Sequence, residues 1–188
     1  PQDDRQVLFF GHSITAGYGL EQDQAFPALI QHKIDSLGWN VNVVNGGLSG
    51  ETSAGGLRRI DWVLNREYDL MILELGGNDG LRGIDLSSTK KNLQGIIDKA
   101  QQKYPDMKII LAGIEVPPNL GTDYTAEFRK LYPELAEDND LPLIPFILKD
   151  VGGIPELNLP DGIHPTAEGH QIIAENLWET LKPIIKKL

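Results

Sequence analysis

Five short apolar runs, each followed by a stretch of helical periodicity, place the main constraint on how this chain can fold. The runs cover 7–10, 41–44, 70–75, 108–112 and 143–144. Apolar runs of this length without alternation read as strands buried on both faces, the pattern of a parallel sheet. Between them, Phe26, Leu29, Ile30, Ile34 and Leu37 recur at helical spacing, and Gly38 is a stop signal. A second helix is predicted from about Ser53 to Asn65, with Leu57, Ile60 and Leu64 inward. Leu93, Ile96, Ile97 and Ala100 mark a third, with Ser87, Ser88 and Thr89 as capping candidates. Phe128, Leu131, Tyr132 and Leu135 mark a fourth, which Pro133 is expected to kink or interrupt. From Thr166 the chain reads as helical to near its end, with Ile173, Leu177, Leu181 and Ile184 on one face. Strand and helix in alternation predict one α/β domain over residues 1–188: a five-stranded parallel sheet between two helical layers. Right-handed crossovers then bring all the strand C-termini to one edge.

Composition narrows the partners. A net charge of −10 argues against nucleic acid, because phosphate binding needs a basic surface. The chain has no Cys, which removes disulfides, thiolate metal sites and a cysteine nucleophile. No apolar run approaches the roughly 20 residues of a membrane span. Residues 1–6 are polar and are expected to fray. A start at Pro1 implies processing or trimming; removal of a signal peptide would favour a periplasmic or secreted location. Oligomeric state is not legible.

The residues suited to chemistry fall after the strand ends or just before the last helix. Ser13 follows the first strand, Gly50 the second and Asn78 the third, while Asp161-Gly162-Ile163-His164-Pro165 precedes the final helix. Four segments thus meet at the edge where open α/β sheets assemble their sites. A serine hydroxyl needs a base to become a nucleophile, and His164 suits that task near neutral pH. Asp161, three residues earlier in a glycine-containing turn, can orient the imidazole. The Ser13 and Gly50 backbone N–H groups and the Asn78 side-chain amide are candidate oxyanion donors. Taken singly, each has an ordinary reading as a cap, turn or Asx residue. Their joint order along the chain favours the catalytic one.

These segments also resemble a known family. Gly11-His12-Ser13-Ile14, the Gly50 stretch, Gly76-Gly77-Asn78-Asp79 and Asp161-Gly162-Ile163-His164-Pro165 are similar to the four blocks of the SGNH hydrolases, also called GDSL esterases. Residues 74–83 look like the bacterial branch that contains thioesterase I/lysophospholipase L1 and related arylesterases. The resemblance runs from about Val7 to the final helix. It implies a flavodoxin-like three-layer fold and no cofactor. It also implies Ser13 as nucleophile, Asp161 and His164 as its triad partners, and Gly50 and Asn78 as oxyanion donors. The expected activity is hydrolysis of small carboxylic esters, extending to thioesters or lysophospholipids. The runner-up readings are a carbohydrate O-deacetylase of the same family and a binding module without turnover. One departure stands out: the family's first block usually reads Gly-Asp-Ser, and here His12 replaces the acid. His12 is expected to modulate activity without being the general base.

Substrate contacts are the least constrained. Leu81, Ile84, Val116 and Pro117 leave strands three and four on the catalytic edge and are candidates to line an acyl groove. Ile154, Leu157 and Leu159 are further candidates, with loop packing the equal alternative. The glycines at 76, 77, 80 and 83 read as a mobile loop able to close over substrate. A metal site built from His12, Asp161 and His164 is less economical than the triad, so none is expected. His32 is expected to be solvated, His170 to lie outside the site, and Asp79 to brace its loop.

Overall fold

A computed structural model describes residues 4–188 of the chain. In chain order the elements are β1 (Arg5–Gly11), α1 (Ser13–Ala16), α2 (Phe26–Ser36), β2 (Val41–Gly47), α3 (Ser53–Val63), β3 (Leu70–Glu74), α4 (Gly77–Leu81), α5 (Leu86–Lys103), β4 (Lys108–Ala112), α6 (Thr122–Asp138), β5 (Leu143–Ile144) and α7 (Ala167–Ile185). The strands form one parallel sheet in the order β2-β1-β3-β4-β5. The fold is therefore the three-layer α/β class read from the alternation.

The order reverses between β1 and β3: the chain leaves β1 for one side of the sheet and returns to the other. At such a switch the loops diverge and leave a crevice. Register puts the crevice walls level, since Gly11 lies opposite both Gly47 of β2 and Glu74 of β3.

The apolar runs at 7–10 and 70–73 are fully buried, because both sheet faces are covered. Successive side chains of a strand point to opposite faces. Phe9 thus meets Phe26 of α2 edge-on, with ring centroids 5.5 Å apart. Its neighbour Phe10 lies under the Arg59 guanidinium of α3 at 4.4 Å. Each such buried side chain contributes roughly 1.5–3 kcal/mol relative to exposure.

Several local expectations need correction. Residues 1–3 of the polar lead-in lie outside the described residues, but Arg5 and Gln6 already belong to β1. The cap of α5 is Asp85, whose carboxylate accepts from Ser87 N–H; the helix begins before Ser87, Ser88 and Thr89. Pro133 sits inside α6 without ending it. It faces solvent, on the side of the helix away from buried Leu131, Tyr132 and Leu135. The ladder bond it deletes is one that water can replace.

The glycine-rich stretch after β3 also differs from expectation. Gly77–Leu81 is a short helix, not an open loop. A Cβ at Gly80 would lie 2.3 Å from Val116 Cγ1 and 2.9 Å from the Phe128 ring. Gly77 and Gly80 are buried and serve close packing, so they are not the hinge of a mobile lid.

Candidate active site

β1 delivers its last residues into the crevice through a tight turn. A Cβ on Gly11 would stand 2.5 Å from the Glu74 carbonyl oxygen and from Thr15 Oγ1, so only glycine fits there. Ser13 opens α1 and is 7% exposed. The His12 side chain caps this helix, with Nδ1 accepting from Ile14 N–H at 3.4 Å. Its Nε2 lies 2.8 Å from Glu74 Oε2. That contact is an ion-pair distance rather than an aligned hydrogen bond, and neither atom has another polar partner among the described residues. Glu74 Oε1 accepts from Thr15 N–H at 3.2 Å and from Thr15 Oγ1 at 2.7 Å.

The turn before α7 carries the candidate acid and base, Asp161 and His164. Asp161 Oδ1 accepts from the N–H groups of Ile163 (2.9 Å) and His164 (3.0 Å). Asp161 Oδ2 stands 2.6 Å from His164 Nδ1, and His164 Nε2 stands 3.0 Å from Ser13 Oγ. The hydrogen bond from the His164 ring, followed by the backbone N–H groups of His164 and Ile163, pulls the Asp161 pKa down to about 2. An ionised Asp161 can only accept, so Nδ1 carries the ring proton and Nε2 is left to accept from the serine hydroxyl. The turn is pinned by Leu159 N–H donating to His164 O at 2.7 Å and by an antiparallel bridge between Asn158 and Pro165. Gly162 adopts the left-handed backbone, φ 71°, that the turn requires.

The oxyanion candidates flank the serine. Asn78 Nδ2 donates one proton to Glu51 O at 2.9 Å, which orients the amide and leaves its second proton without an acceptor among the described residues. Glu51 is itself held by Arg59, whose Nε and Nη2 reach its carboxylate at 2.7–3.0 Å. Gly50 takes φ 81°, and its N–H has no protein acceptor among the described residues. Asp79 is buried and does not face the cavity. It accepts from Ser53 N–H (2.7 Å), Ser53 Oγ (2.5 Å) and Thr89 Oγ1 (2.8 Å), tying α3, α4 and α5 together.

A largely apolar cavity of about 420 Å³ opens beside Ser13. His12, Ser13, Asn78 and His164 border it, as do Leu81, Val116 and Pro117. Gly50, Ile84, Ile154, Leu157 and Leu159 do not. The Ile84 carbonyl instead accepts from Tyr124 Oη at 2.6 Å. Ile114, Phe146, Leu148, Gly152 and Gly153 also line the wall and were not singled out from the sequence. Nothing local marks them, because the segments on either side of β5 reach the cavity only through tertiary packing. Tyr18 was also missed: its ring lies on His164 at 4.3 Å, tilted 35°. The remaining histidines stay apart, His32 exposed on α2 and His170 buried on α7.

Three comparisons bear on this arrangement. The model of the GDSL-like Lipase/Acylhydrolase family matches residues 9–172. Esterase TesA of Pseudomonas aeruginosa is 40% identical over 180 residues, covering 95% of this chain and 89% of that protein. Thioesterase 1/protease 1/lysophospholipase L1 of Escherichia coli is 36% identical, covering 95% of this chain and 84% of that protein. The crystal structure of the psychrotrophic esterase EstA from Pseudoalteromonas sp., inhibited by monoethylphosphonate, superposes with a TM-score of 0.91 at 32% identity, covering 97% of this chain and all of that one. With the family match running from the end of β1 through the sheet to the first turns of α7, and the relatives matching 95% of the chain, the chain belongs to the GDSL-like lipase/acylhydrolase family.

Proposed function

We propose that this protein is a serine esterase acting on carboxylic esters with short to medium acyl groups, with thioesters and lysophospholipids as further substrates. The observation that carries the reading is the Asp161–His164–Ser13 relay, 2.6 Å and 3.0 Å, at the rim of an apolar cavity. Ser13 Oγ attacks the acyl carbon as His164 Nε2 takes its proton, and Asp161 stabilises the imidazolium that forms. The tetrahedral oxyanion is held by the N–H groups of Ser13 and Gly50 and by the free proton of the Asn78 amide. His164 then returns the proton to the leaving oxygen or sulfur. Water, deprotonated by the same imidazole, releases the acid from Ser13. The acyl chain lies along Leu81, Val116 and Pro117, and the apolar wall favours hydrocarbon over a sugar. No step calls for a cofactor or metal.

The test is hydrolysis of p-nitrophenyl esters from acetate to decanoate by the parent protein and by Ser13→Ala. The expected result is turnover that rises beyond acetate and disappears in the variant. Equal rates for acetate and octanoate would remove the acyl groove from the account. Turnover that survives Ser13→Ala would remove the mechanism.

A further inference from the structure

The mechanism above leaves one buried polar pair unused. His12 is 4% exposed and Glu74 1%, and His12 immediately precedes Ser13 in the chain. The partners of each define the protonation pattern. His12 Nδ1 accepts from Ile14 N–H, so that nitrogen carries no proton and the ring's proton sits on Nε2, facing Glu74 Oε2 at 2.8 Å. Glu74 in turn meets only donors: Thr15 N–H, the Thr15 hydroxyl and the imidazole.

The pair bridges the turn after β1 and the end of β3. His12 immediately precedes Ser13, whose N–H is one donor. On the other side the imidazole presses on the residue before Asn78, since a Cβ at Gly77 would stand 2.7 Å from His12 Nε2. Glu74 is the last residue of β3 and reaches back to Thr15 in α1. The β1 turn and the β3 turn are thus clamped through one imidazole and one carboxylate, with little room around either. An aspartate, the residue the family usually carries at this place, can cap α1 but cannot donate to Glu74 as a carboxylate. The imidazole caps α1 and also brings its Nε2 to 2.8 Å from Glu74 Oε2.

We propose that His12 and Glu74 act together as a positioning pair that sets the spacing between the Ser13 N–H and the Asn78 amide before substrate arrives. This rests on the reading of Ser13 as nucleophile. Neither residue exchanges a proton with substrate; both act through the placement of their neighbours.

The test is a double-mutant cycle in kcat and KM for p-nitrophenyl butyrate, using His12→Asn, Glu74→Gln and the double variant. Asparagine keeps an acceptor for Ile14 N–H but falls short of Glu74. Glutamine keeps the size of Glu74 but adds donors where only an acceptor fits. Each single variant should lower kcat by about tenfold to a hundredfold with KM within about twofold, the signature of a misplaced transition-state contact. The double variant should be no worse than the weaker single, because the pair is already broken. An unchanged kcat in either single variant, or losses that multiply in the double, would overturn the proposal.

Titration of Ser13 with a phosphonate counts competent sites, so that misfolded protein is not read as slow protein. A second measurement needs no variant of the pair: ¹⁵N NMR of histidine-labelled parent should show His12 with Nε2 protonated and Nδ1 bare. The opposite tautomer would sink the proposal even if every variant misfolds. Turnover surviving Ser13→Ala would instead strike the nucleophile assignment, and the NMR result would still describe the pair.

Discussion

The two halves of the candidate triad are built differently. The nucleophile half is buried and held by long-range contacts to the neighbours of Ser13: Glu74 of β3 meets His12 and Thr15, and Gly47 of β2 packs on Thr15 and Ala16. A Cβ on Gly47 would come within 2.3 Å of Ala16 N, which shows how closely β2 supports α1. The acid–base half is a local turn, closed by contacts seven residues apart or fewer, with the Asp161 side chain 37% exposed. Precision at the serine therefore depends on the whole sheet edge. Precision at the histidine depends mostly on one Asp-Gly-containing turn and the ring of Tyr18.

This contrast leads to graded expectations. Ser13→Ala and His164→Ala should each lower kcat by about 10⁶, since members of a relay that acts as a unit fail almost completely when removed. Asp161→Asn should lower kcat by about 10⁴ by favouring the wrong tautomer of His164. Because the turn is exposed, its melting temperature should stay within about 2 °C of the parent, in keeping with the small effect of most surface substitutions. Glu74→Ala supplies the opposing case. Loss of its acceptors leaves Thr15 and His12 donors buried, and thermal melting should register about 2 kcal/mol or more of destabilisation. Equal melting temperatures for Asp161→Asn and Glu74→Ala would break the comparison.

Asn78→Ala sits between the halves. It should lower kcat by about 10²–10³ with little change in KM, as expected for one oxyanion donor. Steady-state kinetics on a single p-nitrophenyl ester is enough to see it.

A pH effect on stability separates a third histidine from both halves. Burial lowers the pKa of His170 to about 4 from 6.5, and its Nδ1 accepts from Phe26 N–H at 2.9 Å while its ring stacks on Phe26. The folded state favours the neutral ring, so its contribution is complete above 6.5 and is lost as pH falls toward 4. Urea unfolding at pH 7 and pH 5 should differ by about 2 kcal/mol from this group alone, and His170→Gln should flatten that difference. Asp161, lowered to about 2 from 3.8, adds its own loss only below that window.

The smallest effect should come from Tyr18. Tyr18→Ala should lower kcat by about twofold to tenfold through loss of the ring on His164, and Tyr18→Phe should be silent. A large loss in Tyr18→Phe would move the hydroxyl, not the ring, to the centre.

The chain itself determined a good deal. Short apolar runs bounded by turn residues read as strands, so the parallel three-layer sheet followed from their alternation with helical segments, although the edge strand β2 is only partly buried. The strands at 108–112 and 143–144 fall where expected, because local apolar pattern and flanking prolines act over a few residues. Asp161, His164 and Ser13 could be picked out as candidates because each sits at a strand or helix boundary with a distinctive neighbour, and the structure brings the three side chains together. The role of Glu74 was not, since an acid at the end of an apolar run gives no sign of what it will face. Gly77 and Gly80 read as flexible in one dimension and proved to be spacers in three, pressed by His12 and Phe128. The cavity wall from Ile114, Phe146 and Leu148 was invisible for the same reason. Periodicity and turn chemistry are local properties that a sequence states directly. Which side chains face one another across a crevice is decided by strand order and register, and only the tertiary structure expresses those.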